Sequence, residues 1–251
     1  MPLSLDHVVI AVADLDAAIR NYEALGFTVV PGGEHAGGVT HNALVVFADG
    51  TYLELIAFRR PDPDSRWWRL HDRVGDGLVD YALLPDDVGA TVGSANARGL
   101  DLEGPYDGGR ARPDGAVLRW QTARSPRSDV PFLCGDLTPR SLRVPEGPAR
   151  HHANGVSGIA EVAVAVRDRA VSARRYEALL ADDDAANAER SAFTLGRAVL
   201  RIEVRESDVQ AAYAIEARDE GPYAVRFRSS GPTAELDPAR THGARLRVGA
   251  A

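Results

Sequence analysis

The sequence predicts an α+β fold built from tandem βαβββ units, and three observations carry that expectation. The first is a long internal repeat. LDHVVIAVADLDAAIRNYEALG at 5–26 matches IAEVAVAVRDRAVSARRYEALL at 159–180 with one constant offset, so that Tyr22-Glu23-Ala24-Leu25 falls on Tyr176-Glu177-Ala178-Leu179. The second is that both copies pass from an apolar run into a helical period. The third is Asp49-Gly50 between two apolar runs, a strong hairpin signal.

The elements of the first unit follow in order. Val8 to Val12 is almost wholly apolar and reads as a strand buried on both faces, yet it opens with Asp6 and His7. Asp14 is a good N-cap, because its carboxylate can take orphan amide protons of the first helical turn. Leu15, Ala18, Tyr22 and Leu25 then share one helical face, and Gly26 supplies a left-handed stop. Residues 27–30, HNALVVF (41–47) and TYLELIAF (51–58) read as strands.

A weaker copy lies at 78–100, with Asp80 in the place of His7, Asp87 in that of Asp14 and Gly99 in that of Gly26. A fourth starts near Gly221 with a shortened helix. Pro-rich stretches at 59–68 and 143–155 separate the units. The expected organisation is one domain over 1–145, with units at about 1–58 and 76–140. A second half over 150–251 holds a third unit at about 155–206 and a partial fourth at about 220–250.

Composition narrows the function classes. The net charge is −7 and the arginines are scattered among acids, which argues against a nucleic-acid groove. No apolar run approaches the ~18–20 residues that cross a bilayer. The start of the chain reads without a signal peptide, so a cytoplasmic location is the expectation. Cys134 is the single cysteine, which excludes intramolecular disulfides and a cysteine-based zinc site. There is no lysine, so Schiff-base chemistry on a lysine side chain is unavailable. The expected partner is a small-molecule substrate or ligand, with no nucleic acid and no membrane; a homodimer is left open.

Tandem units opening LDHVVIAVADLDAAIRNYEALGF and closing GTYLELIAF resemble the vicinal-oxygen-chelate superfamily of glyoxalases, extradiol dioxygenases and fosfomycin-resistance proteins. THNALVVFADGTYLELIAF, GGRARPDGAVLRW and DVPFLCGDLTPR are similar to its glyoxalase-like domain group. The resemblance covers about the first three-fifths of the chain and reaches the rest through the repeat. It implies paired, curled mixed sheets around one cavity, with a divalent metal held by the first and last strands of each unit. Carried over, His7 and Glu54 take the first unit's ligand positions and Asp80 the second unit's first; the closing strand at 130–134 offers no carboxylate. Such a set suits Mn, Fe, Ni or Zn; no organic cofactor is expected. In the third unit Glu161 stands for His7 and Leu200 or Arg201 for Glu54, which marks the C-terminal half as a degenerate copy.

The residues also carry a reading of their own. Glu54 sits mid-strand between Leu53 and Leu55, and carboxylates are seldom buried unless paired or bound to metal. His7 and Glu54 would account for each other, as a hydrogen-bonded pair or as co-ligands. A two-residue Asp49-Gly50 turn puts Val45 opposite Glu54 and His41 on the same face, as a supporting or proton-transfer group or as a solvated histidine at the loop edge; a three-residue loop exchanges His41 for Asn42. Arg110, Arg112 and Trp120 would give a cavity cationic forks and an aromatic wall for substrate, or the two arginines lie at the surface like the others scattered along the chain. Trp67 and Trp68 read as interface packing, Cys134 as inert, and His35, His71, His151, His152 and His242 as surface residues.

Two functions follow. One is a divalent-metal-dependent enzyme of lyase, isomerase or dioxygenase type acting on a small oxygen-bearing substrate, with Glu54 doubling as base. The other is a metal-free protein that binds or sequesters a small molecule in the same cavity.

Overall fold

The computed structural model describes residues 3–111, 115–181, 190–204 and 220–249. The first unit is β1 (Ser4–Ala11), α1 (Leu15–Ala24), β2 (Val30–Glu34), β3 (Thr40–Val46) and β4 (Tyr52–Phe58). A connecting helix, α2 (Arg66–Val74), leads to β5 (Gly77–Leu84), α3 (Val88–Ala97), β6 (Glu103–Ala111), β7 (Val117–Arg124), β8 (Phe132–Asp136) and the short α4 (Arg140–Arg143). The remainder is β9 (Val156–Val166), α5 (Arg169–Leu180), β10 (Ala192–Leu195), β11 (Ala198–Val204), β12 (Gly221–Ser229), β13 (Ala234–Glu235) and β14 (Arg245–Gly249).

The strands form two mixed sheets, ordered β2-β3-β4-β1-β5-β8-β7-β6 and β10-β11-β9-β12-β14-β13. In the first, β4 lies parallel to β1, β5 antiparallel to it, and β8 parallel to β5. The second repeats this with β11, β9, β12 and β14. The apolar runs at 8–12 and 162–166 thus lie on strands flanked on both sides, and their side chains are buried on both faces, which is why they carry few polar groups. The outer strands β2 and β6 of the first sheet come together, so the sheet curls around its concave face.

The repeat is written in the helix starts. Asp14, Asp87 and Asp168 each accept the amide three residues on, at 2.9, 2.8 and 3.0 Å, and so satisfy an otherwise orphaned donor. Leu15, Ala18 and Tyr22 bury the inner face of α1. The fourth unit departs from the pattern: among the described residues no helix stands between β12 and β14. Strand β2 also starts later than residue 27. Thr28 is drawn to the inter-half linker, its amide donating to His152 Nδ1 (2.9 Å) and its hydroxyl to the His151 carbonyl (2.5 Å).

One continuous core joins the sheets. Phe27 and Phe47 from the first half pack on Phe227 from the second, with ring centroids 5.8 and 5.3 Å away. The hydroxyls of Tyr81 and Tyr176 meet across the same boundary, and Tyr176 donates to the Asp129 carbonyl. No helix among the described residues is long and apolar enough to cross a membrane.

Candidate functional site

Residues on the concave face of the first sheet line a cavity of about 350 Å³, and His7 stands on its floor. His7 is 2 % exposed, stacked on Tyr52 with ring centroids 4.5 Å apart and met edge-on by Phe132. Its Nδ1 lies 2.7 Å from Asp6 Oδ2, which directs Nε2 toward Glu54, 3.4 Å from Oε2. Asp6 is wholly buried and held by Arg143 (2.8 Å) and Arg140 (2.6 Å). Arg143 extends the network to Asp136 (2.6 Å) and the Tyr52 hydroxyl (2.6 Å). The polar opening of an apolar strand is therefore the inner end of an ionic chain.

Register decides which neighbours reach Glu54. Leu44, not Val45, lies opposite it, because Phe47 and Thr51 close a three-residue loop in which Gly50 takes a φ of +84°. Asn42 consequently faces the cavity and donates to Glu54 Oε1 at 2.6 Å, while His41 points away and does not line it. The placement of His41 beside Glu54 is thus corrected by one residue of loop. His35, expected at the surface, lies 3.6 Å from Glu54 Oε1 and edge-on to Trp120 at 6.2 Å. Trp67, expected to be packing only, also lines the cavity, as do Trp120, Arg110 and Cys134. Arg112 lies outside the described residues.

The second unit does not complete a metal centre. Asp80 is absent from the cavity lining: its carboxylate is paired with Arg66 and accepts the Trp67 indole N–H at 2.6 Å. Glu54 stands opposite Val9, two residues beyond His7; at the matching place two residues beyond Asp80, Phe132 stands opposite Ala82. A phenyl ring occupies the position a fourth ligand would need. Among the described residues no three His, Cys, Asp or Glu side chains are disposed to hold an ion. The set His7, Glu54 and Asp80 is not assembled, and the superfamily's divalent ion does not fit these residues as a resident group. In the third unit Arg201 stands opposite Ala163, where Glu54 would map, and pairs with Glu161 at 3.1 Å, so a salt bridge replaces the His–Glu pair.

Charge is concentrated in this cluster. Burial alone would raise the Glu54 carboxyl, but the hydrogen bond from His7, the charges of His35 and His7, and the bond from Asn42 hold it at about 2. Burial likewise opposes charge on His7, yet hydrogen bonds and charge from Asp6 and Glu54 raise its pKa above 6.5. Burial lowers His35, aided by Arg110 and opposed by Glu54. Burial pushes the Cys134 thiol up to about 12, which leaves it an inert wall group.

A raised histidine pKa contributes stability that is complete below about pH 6.5 and is lost as pH rises through the folded value. His35 acts in the opposite sense, so the His7 contribution is read as a difference. The gap in unfolding free energy between wild type and His7→Gln is expected to be widest at pH 5–6 and to narrow steadily toward pH 9. Urea melts at four pH values measure it; a gap that widens with pH would show that His7 is held neutral.

The glyoxalase-like domain family model matches residues 5–180. Several solved structures share the fold. A hypothetical protein from Staphylococcus aureus is 16% identical, with 99% of this chain and 100% of that one covered and a TM-score of 0.76. A mutant of 4-hydroxymandelate synthase from Streptomyces coelicolor is 14% identical, with 100% and 94% covered and a TM-score of 0.64. No curated protein matches the chain. The curled sheet of paired βαβββ units, its first-unit His–Glu pair and the family match over 5–180 agree, and the chain belongs to the glyoxalase-like domain family of the vicinal-oxygen-chelate superfamily.

Proposed function

We propose that the chain is an acid–base enzyme of isomerase or lyase type that acts on a small oxygen-bearing substrate in the first-half cavity without a resident metal. The observation that carries this reading is the line Asp6–His7–Glu54, with contacts of 2.7 and 3.4 Å that end in a cavity of about 350 Å³. Asp6 fixes the imidazole and favours its protonated form, so Nε2–H is a donor facing the cavity. Glu54 beside it is an ionised acceptor. A substrate with an acidic C–H next to a carbonyl can lose that proton to Glu54 while His7 delivers its own to the carbonyl oxygen. The enol that forms is neutral, as is the His7–Glu54 pair before and after the transfer. Return of a proton at another carbon or face completes an isomerisation; expulsion of a neighbouring group completes an elimination.

The test is deuterium incorporation from D₂O into a panel of small α-hydroxy carbonyl compounds, followed by proton NMR. Glu54→Gln is expected to slow exchange about a hundredfold, near the lower bound for a positioned acid or base. Exchange is expected to be indifferent to chelator. Activation together with thermal stabilisation by Mn²⁺, Ni²⁺ or Zn²⁺, lost in His7→Ala, would restore the metal-dependent reading.

A second reading, a binding or sequestering protein, draws on the low pKa of Glu54, about 2, and on its three polar neighbours, which make it a weak base. Ligand binding without exchange on any panel member would favour it.

A further inference from the structure

Five aromatic side chains line the first-half cavity: Tyr52, Phe58, Trp67, Trp120 and Phe132. Four of them stand on strands of the curled sheet, whereas Trp67 stands on the connecting helix α2. That helix is lightly seated, with none of its residues buried. Trp67 itself is only partly buried against the apolar cluster of the concave face, which includes Val9, Ile56 and Phe132. Its ring meets that of Phe132 at 5.4 Å with a tilt of 59°. Such packing leaves the indole room to turn.

Asp80 removes that freedom. Its Oδ2 accepts the Trp67 indole N–H at 2.6 Å and the Arg66 Nε–H at 3.0 Å, while Oδ1 accepts the Tyr81 amide at 2.9 Å. The residue is 3% exposed on β5, a strand paired on both sides, so the carboxylate is held from a rigid support. A hydrogen bond to a buried carboxylate is strong and directional, and it fixes where the indole plane lies. The consequence is large, because Trp67 and Phe132 also line a second recess of about 350 Å³, together with Asp64, Arg66 and Arg124. The tilted pair stands in the wall between an aromatic cavity and a charged one.

From this placement we infer that Trp67 is the specificity-determining wall of the first-half cavity, that Asp80 is the residue positioning it, and that the wall selects a substrate whose body is a flat aromatic ring. Rings that meet at a tilt present edges and faces to a guest, and an aromatic guest gains edge-to-face contacts that a saturated one lacks. The oxygen-bearing end of such a guest is left for His7 and Glu54. This rests on the proposed function only in taking that cavity as the working site.

The experiment is calorimetric titration of the purified chain with acetophenone and with 1-cyclohexylethanone. The two ketones share one carbon skeleton and carry no charge, so the comparison reads the walls and not the ionic groups. The saturated ketone is the more apolar, so burial of surface alone would favour it. Wild type is expected to bind acetophenone about threefold or more tightly, within the range that aromatic pairs add beyond area. Trp67→Leu should erase the preference. Asp80→Leu should at least halve it, and Asp80→Asn, whose amide oxygen still accepts the indole N–H, should restore most of it. A merely structural Asp80 would not move the ratio. Thermal melts confirm that each variant is folded; if Asp80→Leu melts early, Trp67→Phe, which keeps a ring but offers Asp80 no N–H, takes its place with the same expected fall. Absence of binding, equal or tighter binding of the cyclohexyl ketone by wild type, or an unchanged ratio in Trp67→Leu or in Asp80→Leu would each overturn the inference. Failure of deuterium exchange in wild type with the ring preference intact would remove the proposed reaction and leave this assignment standing.

Discussion

Arg143→Met is expected to lower the free energy of unfolding by about 3–5 kcal/mol, the range found when one partner of a buried ion pair is removed. The side chain of Arg143 is 7% exposed and serves two carboxylates and a phenol: Asp6 at 2.8 Å, Asp136 at 2.6 Å and the Tyr52 hydroxyl at 2.6 Å. Methionine fills most of the volume but donates nothing, so Asp6, with no exposure of its own, loses its more deeply buried arginine partner and is left to Arg140 and His7. The carboxyl of Asp6, now far below the ordinary carboxylate range against its own desolvation, would rise. Urea unfolding at pH 7 reads the change directly. The companion Asp6→Leu/Arg143→Met should recover part of the loss, because no buried charge at position 6 then lacks its arginine. A single-variant loss under about 1 kcal/mol would show that Arg140 and His7 suffice for Asp6 without Arg143.

Phe227→Ala is expected to cost about 3–5 kcal/mol, the usual toll for deleting a fully buried phenyl from a packed core. Its ring sits on Phe47 at 5.3 Å and Phe27 at 5.8 Å, both contributed by the first half. The cavity therefore opens in the contact between the halves rather than inside either one. Denaturation should remain a single transition shifted to lower urea, with circular dichroism and tryptophan fluorescence coincident. All three tryptophans, Trp67, Trp68 and Trp120, lie in the first half, so fluorescence reports on that half alone. If it kept its wild-type midpoint while circular dichroism split in two, the shared core would be refuted.

The sequence alone determined the repeating unit. Local chemistry suffices there: an aspartate caps the helix of each of the first three units, three residues before the amide it accepts, and period 3.6 follows the apolar run in both matching copies. It also placed His7 and Glu54 together, because a charged group can sit mid-strand between leucines only if something nearby answers its charge. It missed Asp6 as an actor although Asp6 adjoins His7, since its partner Arg143 is 137 residues away and no local pattern records that distance. His41 and Asn42 exchanged roles on one residue of loop length, a choice between turn conformations too close in energy for Asp49-Gly50 to settle. Tertiary packing alone decided the rest. The curl of the sheet brought β2 to β6 and so carried His35 and Arg110 into the cavity. The connecting helix set Arg66 and Trp67 over Asp80, turning a ligand position into a salt bridge. Those outcomes depend on which distant charges and rings are left facing each other once the apolar strands are buried, and burial is a property of the whole fold.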